Sequence, residues 1–175
     1  NVMIDSLLAS REHARPAAAT LQAHDLDPAL LAHPRGYGVV TLHRPSNVDD
    51  AATLRPLLEV LAEVAAQLPL VFAMHPRTRN NIERFGLGAL LDPAHIAVLP
   101  PQGYLEMVGL MNGATLVLTD SGGLQEETTA LGVPCLTLRE NTERPITVEQ
   151  GTNTMVGHDV QAIRAGVAEI LAGRG

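Results

Sequence analysis

The sequence predicts an α/β protein, a Rossmann-like parallel sheet of about six strands with helices on both faces. From Gly36 onward, short apolar runs alternate with stretches of helical periodicity, as parallel strands joined by crossover helices require. The run ATLVLTD at 114–120 is almost entirely apolar, which is typical of a central parallel strand buried on both faces. The length of 175 residues suits one domain with its own core.

The strands follow from the apolar runs. YGVVTLH at 37–43 is rich in β-branched residues and opens near a glycine, so it is predicted as the first strand. The apolar runs further along the chain predict strands at 70–75, 96–101, 114–120, 133–138 and 154–157.

The helices follow from apolar residues at spacings of three and four. Residues 50–67 carry such a stripe, formed by Leu54, Leu57, Leu58, Leu61 and Val64, and Asp49 and Asp50 stand at its start. Residues 10–35 read as an irregular or partly helical lead-in. Further helices are predicted at about 77–85, 104–111, 122–131 and 159–171.

Composition and charge exclude several function classes. The formal charge of -7 argues against nucleic acid or an anionic membrane as the main partner. No run of 18 or more apolar residues is present, so no transmembrane helix is predicted. The single cysteine, Cys135, lies in the apolar run VPCLTL and is expected to be a buried inert thiol in a reducing, cytoplasmic setting.

Polar residues follow the predicted strands at the points where ligands bind in an open parallel sheet. Several are cationic, which favours a site for a small anion. Alternatively, loops are polar in general and about half of these groups only cap helices. The residues are His43, Arg44 and Asn47 after strand one, His75 and Arg77 after strand two, Gln102 after strand three, Asp120, Ser121, Gly122 and Gly123 after strand four, and Arg139 and Arg144 after strand five.

The stretch TDSGGLQEE at 119–127 contains the most specific local pattern. Ser121, Gly122 and Gly123 open a helix, where backbone N–H groups and the helix dipole favour a phosphate or diphosphate. The stretch is neither a G-x-G-x-x-G fingerprint nor a P-loop. A tight strand-to-helix turn with a serine cap explains it about as well.

The two glutamates of this stretch differ in their predicted orientation. Glu127 shares the apolar stripe of Leu124 and Leu131, so it is expected to point inward, whereas Glu126 is expected to face solvent. An inward carboxylate needs a partner. Vicinal ribose hydroxyls could supply it, and so could a buried arginine or a local helix cap.

No cofactor and no metal site are predicted. The strand-end loops offer no carboxylate pair, and the histidines lack ligand spacing. A diphosphate held here would be neutralised by arginine, histidine and backbone N–H groups.

The motifs TLHRPSNVDD, MHPRT, PPQGYLEMVGLMNGATLVLTDSGGLQEE, LGVPCLTLRENTERP and EQGTNTMVG occur in this order over nearly the whole chain. Together they resemble the C-terminal half of the non-hydrolysing UDP-N-acetylglucosamine 2-epimerases. That resemblance implies the C-terminal domain of a glycosyltransferase-B type fold. It also implies an interdomain linker helix and lead-in at 1–35 and a UDP-binding domain at 36–175, with the N-terminal catalytic half absent.

The resemblance assigns roles to the strand-end residues. It implies that Glu127 binds the ribose hydroxyls and that His43 is catalytic, facing the phosphates and the sugar. Met107 stands where the family often has an aromatic residue against uracil, so thioether packing is expected there. Other implied substrate contacts are Arg44 beside the cleft, Gln102 at the uracil, Ser121, Gly122 and Gly123 at the diphosphate, and Arg144 at the phosphates and the sugar.

The reaction implied by the resemblance interconverts UDP-GlcNAc and UDP-ManNAc through elimination and re-addition of UDP, with no redox cofactor. The family's acid and base carboxylates lie largely in its N-terminal domain, so this chain alone is expected to have little or no activity. A homodimer is the family's usual assembly for the full-length protein. Alternative functions are the donor-binding domain of a UDP-sugar glycosyltransferase and a non-catalytic UDP-sugar-binding module.

Overall fold

A computed structural model describes residues 16–121, 124–138, 153–156 and 159–173. Its strands form one parallel six-stranded sheet in the order β3-β2-β1-β4-β5-β6, which confirms the predicted fold class. The strands are β1 (Gly38–Thr41), β2 (Leu70–Ala73), β3 (Ile96–Leu99), β4 (Leu116–Thr119), β5 (Cys135–Thr137) and β6 (Asn153–Met155).

Seven α-helices lie in the described residues: α1 (Ala17–Ala23), α2 (Pro45–Val48), α3 (Ala51–Ala65), α4 (Pro76–Arg84), α5 (Tyr104–Asn112), α6 (Leu124–Leu131) and α7 (Val160–Leu171). Two 3₁₀ turns occur at Pro28–Ala32 and Gly88–Leu90. Helix α2 and the second 3₁₀ turn were not predicted, because one turn of helix is too short to produce a periodic pattern.

Successive strand residues face opposite sides of the sheet, which produces two core layers. On one side Val40, Phe72 and Leu118 pack with the apolar residues of α3, α4 and α7. On the other side Val39 and Val117 pack with residues of α1, α5 and α6. Helices therefore cover both faces, as a parallel sheet requires.

The residues that cap the helices explain why the strands are shorter than predicted. Asp50 caps α3 by accepting a 2.9 Å hydrogen bond from the backbone N–H of Ala52. His75 was predicted as the end of strand two, but it caps α4, and its Nδ1 accepts a 3.0 Å hydrogen bond from the Arg77 N–H. The polar residue after each apolar run thus belongs to the following turn, so the strands are shorter than their apolar patterns.

The segment before the sheet packs directly on it. Leu21 of α1 is fully buried and belongs to the same core layer as Tyr37 and Val39. The partly helical character expected for 10–35 is confirmed where this segment is described, and the boundary at residue 35 stays a prediction. Within the described residues, no helix is long and apolar enough to cross a bilayer.

Candidate functional site

The reversal of strand order places β1 and β4 side by side with their crossover connections running in opposite directions. Thr41 pairs with Thr119 in this register, and their hydroxyl oxygens are 2.6 Å apart. A crevice outside the carboxyl ends of such strands is where doubly wound sheets bind ligands. A cleft of about 240 Å³ opens there, lined by Thr41, Leu42, His43, Ala73, His75, Pro101, Gln102, Met107, Ser121 and Leu124.

The cleft brings together His43, Gln102, Met107 and Ser121, which the sequence places in four different loops or helices. Its lining is largely apolar, with these few polar groups at one edge. A cavity of this character suits a small organic ligand whose orientation is fixed by a few polar contacts.

A buried carboxylate lies beneath the cleft. Asp120 follows β4 and is fully buried, and its Oδ2 accepts hydrogen bonds from the Arg44 N–H at 2.9 Å and the His43 N–H at 3.0 Å. Oδ2 also accepts from Nδ2 of Asn47 at 2.9 Å, and the same Nδ2 donates to the Leu138 carbonyl at 3.1 Å. This one carboxylate therefore ties the turn after β1 to the end of β4.

The imidazole of His43 meets the other oxygen of this carboxylate. Its Nδ1 lies 3.1 Å from Oδ1 of Asp120, while 43% of the side chain remains exposed. The hydrogen bond to Asp120 raises the pKa of His43, although burial and the charge of Arg44 oppose the increase. Burial alone would raise the pKa of Asp120, but the hydrogen bonds from His43, Asn47 and the backbone outweigh it and lower that pKa.

A second histidine lies across the cleft. The rings of His43 and His75 have centroids 6.0 Å apart and planes tilted by 32°. Both rings line the cleft, so two imidazoles face the same volume. Among the described residues, no group of three or more His, Cys, Asp or Glu side chains could hold a metal ion.

The phosphate loop is described only in part. The backbone N–H of Ser121 donates to Oγ1 of Thr119 at 3.0 Å, so the hydroxyl of Ser121, and not its N–H, is the group that can meet a ligand. Helix α6 is described from Leu124 onward. Gly122, Gly123, Arg139, Arg144 and the side chain of Glu126 lie outside the described residues.

Glu127 points inward, as its helical spacing predicts. Only 8% of the residue is exposed, and its charge helps to raise the pKa of Tyr104, for which burial is the larger cause. The carboxylate therefore lies near the start of α5, on the same side of the sheet as Met107.

Gln102 lies after β3 with its amide nitrogen between two acceptors. Nε2 donates to the Pro100 carbonyl at 2.8 Å and lies 3.3 Å from Nε2 of His24. The amide oxygen is the remaining polar atom, so Gln102 would offer the cleft an acceptor.

Two arginines do not enter the cleft. Arg77, which was expected to join the anion site, instead forms a bidentate ion pair with Asp49, with Nε 2.7 Å from Oδ1. That pair belongs to a separate polar cleft beside Asn80, Asn81 and Arg84, so this expectation was wrong. The side chain of Arg44 is half-buried and is not among the lining groups, although its N–H holds Asp120.

Asp120, which holds the turn after β1 and contacts the His43 imidazole, is the site residue to which the sequence analysis assigned no role. The signal that could have found it is an acid directly after an entirely buried strand, matched by a histidine after another such strand. A carboxylate in that position must accept hydrogen bonds.

Comparisons with known proteins bear on this geometry. The sequence profile of the UDP-N-acetylglucosamine 2-epimerase family matches residues 1–174. The chain belongs to this family. A UDP-N-acetylglucosamine 2-epimerase from Methanococcus maripaludis is 42% identical over 138 residues, which are 77% of this chain and 38% of that protein. The chain thus spans well under half the length of this relative.

Two further relatives differ in what their names specify. A UDP-2,3-diacetamido-2,3-dideoxy-D-glucuronate 2-epimerase from Pseudomonas aeruginosa is 44% identical over 131 residues, covering 74% of this chain and 36% of that protein. The crystal structure of Methanocaldococcus jannaschii UDP-GlcNAc 2-epimerase in complex with UDP-GlcNAc and UDP superposes with a TM-score of 0.77. It is 35% identical to this epimerase-family chain, covering 98% of it and 46% of the solved chain. These matches do not favour the glycosyltransferase alternative.

Proposed function

We propose that this chain is the UDP-binding half of a UDP-N-acetylglucosamine 2-epimerase that interconverts UDP-GlcNAc and UDP-ManNAc by elimination and re-addition of UDP. The observation that carries the proposal is the cleft between the ends of β1 and β4, where His43, Gln102, Met107 and Ser121 converge. The solved relative that binds UDP-GlcNAc and UDP supports it.

The arrangement of the cleft suits the parts of UDP. The oxygen of Gln102 can accept the imide N–H of uracil, and Met107 can pack against the ring. Glu127 receives the ribose hydroxyls, and the Ser121 hydroxyl, with Gly122, Gly123 and Arg144, receives the diphosphate. Arg44 remains a proposed substrate contact beside the cleft, because it shares a turn with His43.

The chemistry also needs an acid and a base at the sugar. His43 is the titratable group with a raised pKa in this cleft, so it is the residue proposed to act on the sugar or the leaving diphosphate. None of the described residues that line the cleft is a carboxylate. We therefore propose that the remaining acid and base groups come from another domain and that this chain alone has little or no epimerase activity. We also propose, from the family resemblance, that the full-length enzyme is a homodimer.

The proposed reaction needs no metal or redox cofactor, since elimination and re-addition transfer only protons and the nucleotide. Cys135 is a buried free thiol, and burial raises its pKa to about 11. An unpaired thiol of this kind suits a reducing compartment, and we place the enzyme in the cytoplasm.

Calorimetric titration of the chain with UDP, UDP-GlcNAc and inorganic phosphate tests nucleotide binding. We expect UDP to bind and Glu127→Ala to weaken it at least tenfold, because a buried carboxylate that accepts two hydroxyls contributes more than 1.4 kcal/mol. Arg77→Ala is the matched control, since Arg77 lies in the separate polar cleft. Absence of UDP binding, or equal binding by the Glu127 variant, would refute the site.

The 44% identity to the diacetamido-glucuronate 2-epimerase favours a second candidate, the same reaction on that more acidic sugar. Both nucleotide sugars should therefore be compared in the titration. Solvent deuterium uptake at C2, followed by NMR, then tests activity, and clear turnover by this chain alone would contradict the proposed need for a second domain.

A further inference from the structure

The two oxygens of Asp120 accept from different side chains and share one backbone donor, the His43 N–H. Oδ2 accepts from three groups, the N–H of His43, the N–H of Arg44 and Nδ2 of Asn47, at 2.9 to 3.0 Å. Oδ1 accepts from Nδ1 of His43 at 3.1 Å and, at 3.2 Å, from the His43 N–H. One oxygen therefore organises the backbone of the turn, while the other is directed at the imidazole.

An ionised carboxylate can only accept hydrogen bonds. Asp120 remains ionised because its donors lower its pKa despite full burial. Nδ1 of His43 must then carry a proton in both the neutral and the charged imidazole. The opposite nitrogen, Nε2, lies on the ring edge away from Asp120, and the side chain lines the cleft and is 43% exposed.

We propose that Asp120 is a positioning residue that fixes His43 in the Nδ1–H tautomer and so presents Nε2 to the cleft as the group that exchanges a proton with the ligand. Neutral His43 then accepts a proton at Nε2, and charged His43 donates from the same atom. Carboxylate–imidazole pairs act in this way in other enzymes. The inference rests on the proposed function only for the identity of the ligand.

The surroundings of His43 support this assignment. The charged and titratable groups that face it from the described residues are Asp120 after β4, Arg44 on its own turn and His75 after β2. Nδ1 of His75 accepts from a backbone N–H, so the proton of neutral His75 is on its own Nε2. Among the described residues, Asp120 is the one group that contacts Nδ1 of His43, so it is the group that can select the tautomer.

Substitution of Asp120 by asparagine separates its role in holding the turn after β1 from its role in orienting the His43 imidazole. The three donors at Oδ2 select the amide oxygen for that position. The shorter hydrogen bonds of the turn are therefore kept, and of the bonds to the turn backbone the 3.2 Å bond from the His43 N–H to Oδ1 is lost. The amide NH₂ then occupies the Oδ1 position and faces Nδ1 of His43 as a donor, so Nδ1 must become an acceptor. We expect Asp120→Asn to move the proton of neutral His43 from Nδ1 to Nε2.

Long-range ¹H–¹⁵N correlation spectra of the ¹⁵N-histidine-labelled chain read the tautomer directly. Neutral His43 in the parent chain should show a protonated Nδ1, and the Asp120→Asn variant should show a protonated Nε2. Asp49→Asn is the matched control, because it makes the same chemical change at an exposed carboxylate that pairs with Arg77. The His43 tautomer should not change in that control.

The parent spectrum alone can overturn the proposal, since a neutral His43 protonated at Nε2 would contradict it even if the variant failed to fold. An unchanged tautomer in a folded Asp120→Asn variant would contradict it too. A merely structural Asp120 would alter the stability of the chain but would not invert the tautomer.

The pH profile of UDP affinity provides a second measurement. Affinity in the parent chain should fall as pH rises through the raised pKa of His43, because the donor at Nε2 is lost. In Asp120→Asn this fall should be much weaker and should lie at lower pH, because the neutral imidazole of that variant keeps a proton at Nε2 and a neutral amide no longer favours the imidazolium. A profile that does not move refutes the inference, whereas failure of UDP to bind refutes the proposed function and leaves the tautomer result standing.

Discussion

Asn47 offers a test of how the turn after β1 is held. It is fully buried, and its Nδ2 donates to Asp120 and to the Leu138 carbonyl. Asn47→Ala removes both hydrogen bonds, so the Asp120 carboxylate and the Leu138 carbonyl each lose one donor. A hydrogen bond to a charged group contributes about 1.5–3 kcal/mol and a neutral one about 0.5–1.5 kcal/mol, so the free energy of unfolding should fall by about 3 kcal/mol.

The loss should stay near this sum because Oδ1 of Asn47 has no hydrogen-bond partner among the described residues, so its removal orphans no donor. For a chain of 175 residues, about 3 kcal/mol corresponds to a melting temperature lower by roughly 6–12 °C. Urea denaturation followed by circular dichroism measures the free energy, and a thermal scan measures the temperature.

Asn80→Ala is the control, because Asn80 lies on the exposed side of α4. Its stability should be unchanged or slightly higher, since alanine is the better helix former. Asn47→Asp should be more damaging at pH 7 than at pH 4, because it places a second carboxylate against Asp120. A loss below about 1 kcal/mol in Asn47→Ala would show that these two bonds do not hold the turn, and the reasoning from Asp120 outward would fail.

Three further predictions concern other parts of the site and the sheet. The pKa of His43 is raised in the folded chain, so the charge of its imidazolium beside Asp120 stabilises fully below the unfolded pKa of about 6.5, and this contribution is lost as pH rises through the folded pKa, while the hydrogen bond from Nδ1–H remains. The difference in urea midpoint between the parent and His43→Gln should therefore shrink over that interval. Met107→Phe should tighten UDP binding about fivefold in calorimetry, because an aromatic ring stacks on a base more favourably than a thioether, and unchanged affinity would contradict a uracil contact. Gly36→Ala should lower the urea midpoint, since Gly36 has φ +80° and an added Cβ would meet Oγ1 of Thr115, and an unchanged midpoint would mean that this turn relaxes freely.

Much of the fold follows from periodicity. The six strands and the five long helices of the sheet region could be predicted because each needs an apolar pattern several residues long, and the structure confirms them. Helix α2 and the exact strand ends could not, because they depend on caps and on where the ladder of hydrogen bonds stops. His75 shows this, since a polar residue after an apolar run belongs to the cap of the next helix.

The site was predictable where it depends on local geometry and not where it depends on strand order. Glu127 points inward because helical spacing alone decides its direction. Arg77 was misplaced because a long guanidinium can reach either of two loops, and the sequence does not reveal that Asp49 would pair with it. The role of Asp120 depends on β1 lying beside β4, which no local pattern reports.

The contact between Asp120 and the turn after β1 has a consequence for the order in which the domain folds. The residues that it joins are 73 to 77 positions apart in the chain, whereas β1 can pair with β2 across about half that separation. Closing the longer loop costs more chain entropy and belongs to the slower, non-local events of folding. We therefore expect β1, β2 and β3 to associate first and the His43 imidazole to acquire its partner only when β4 docks, so that the cleft is among the last features to form.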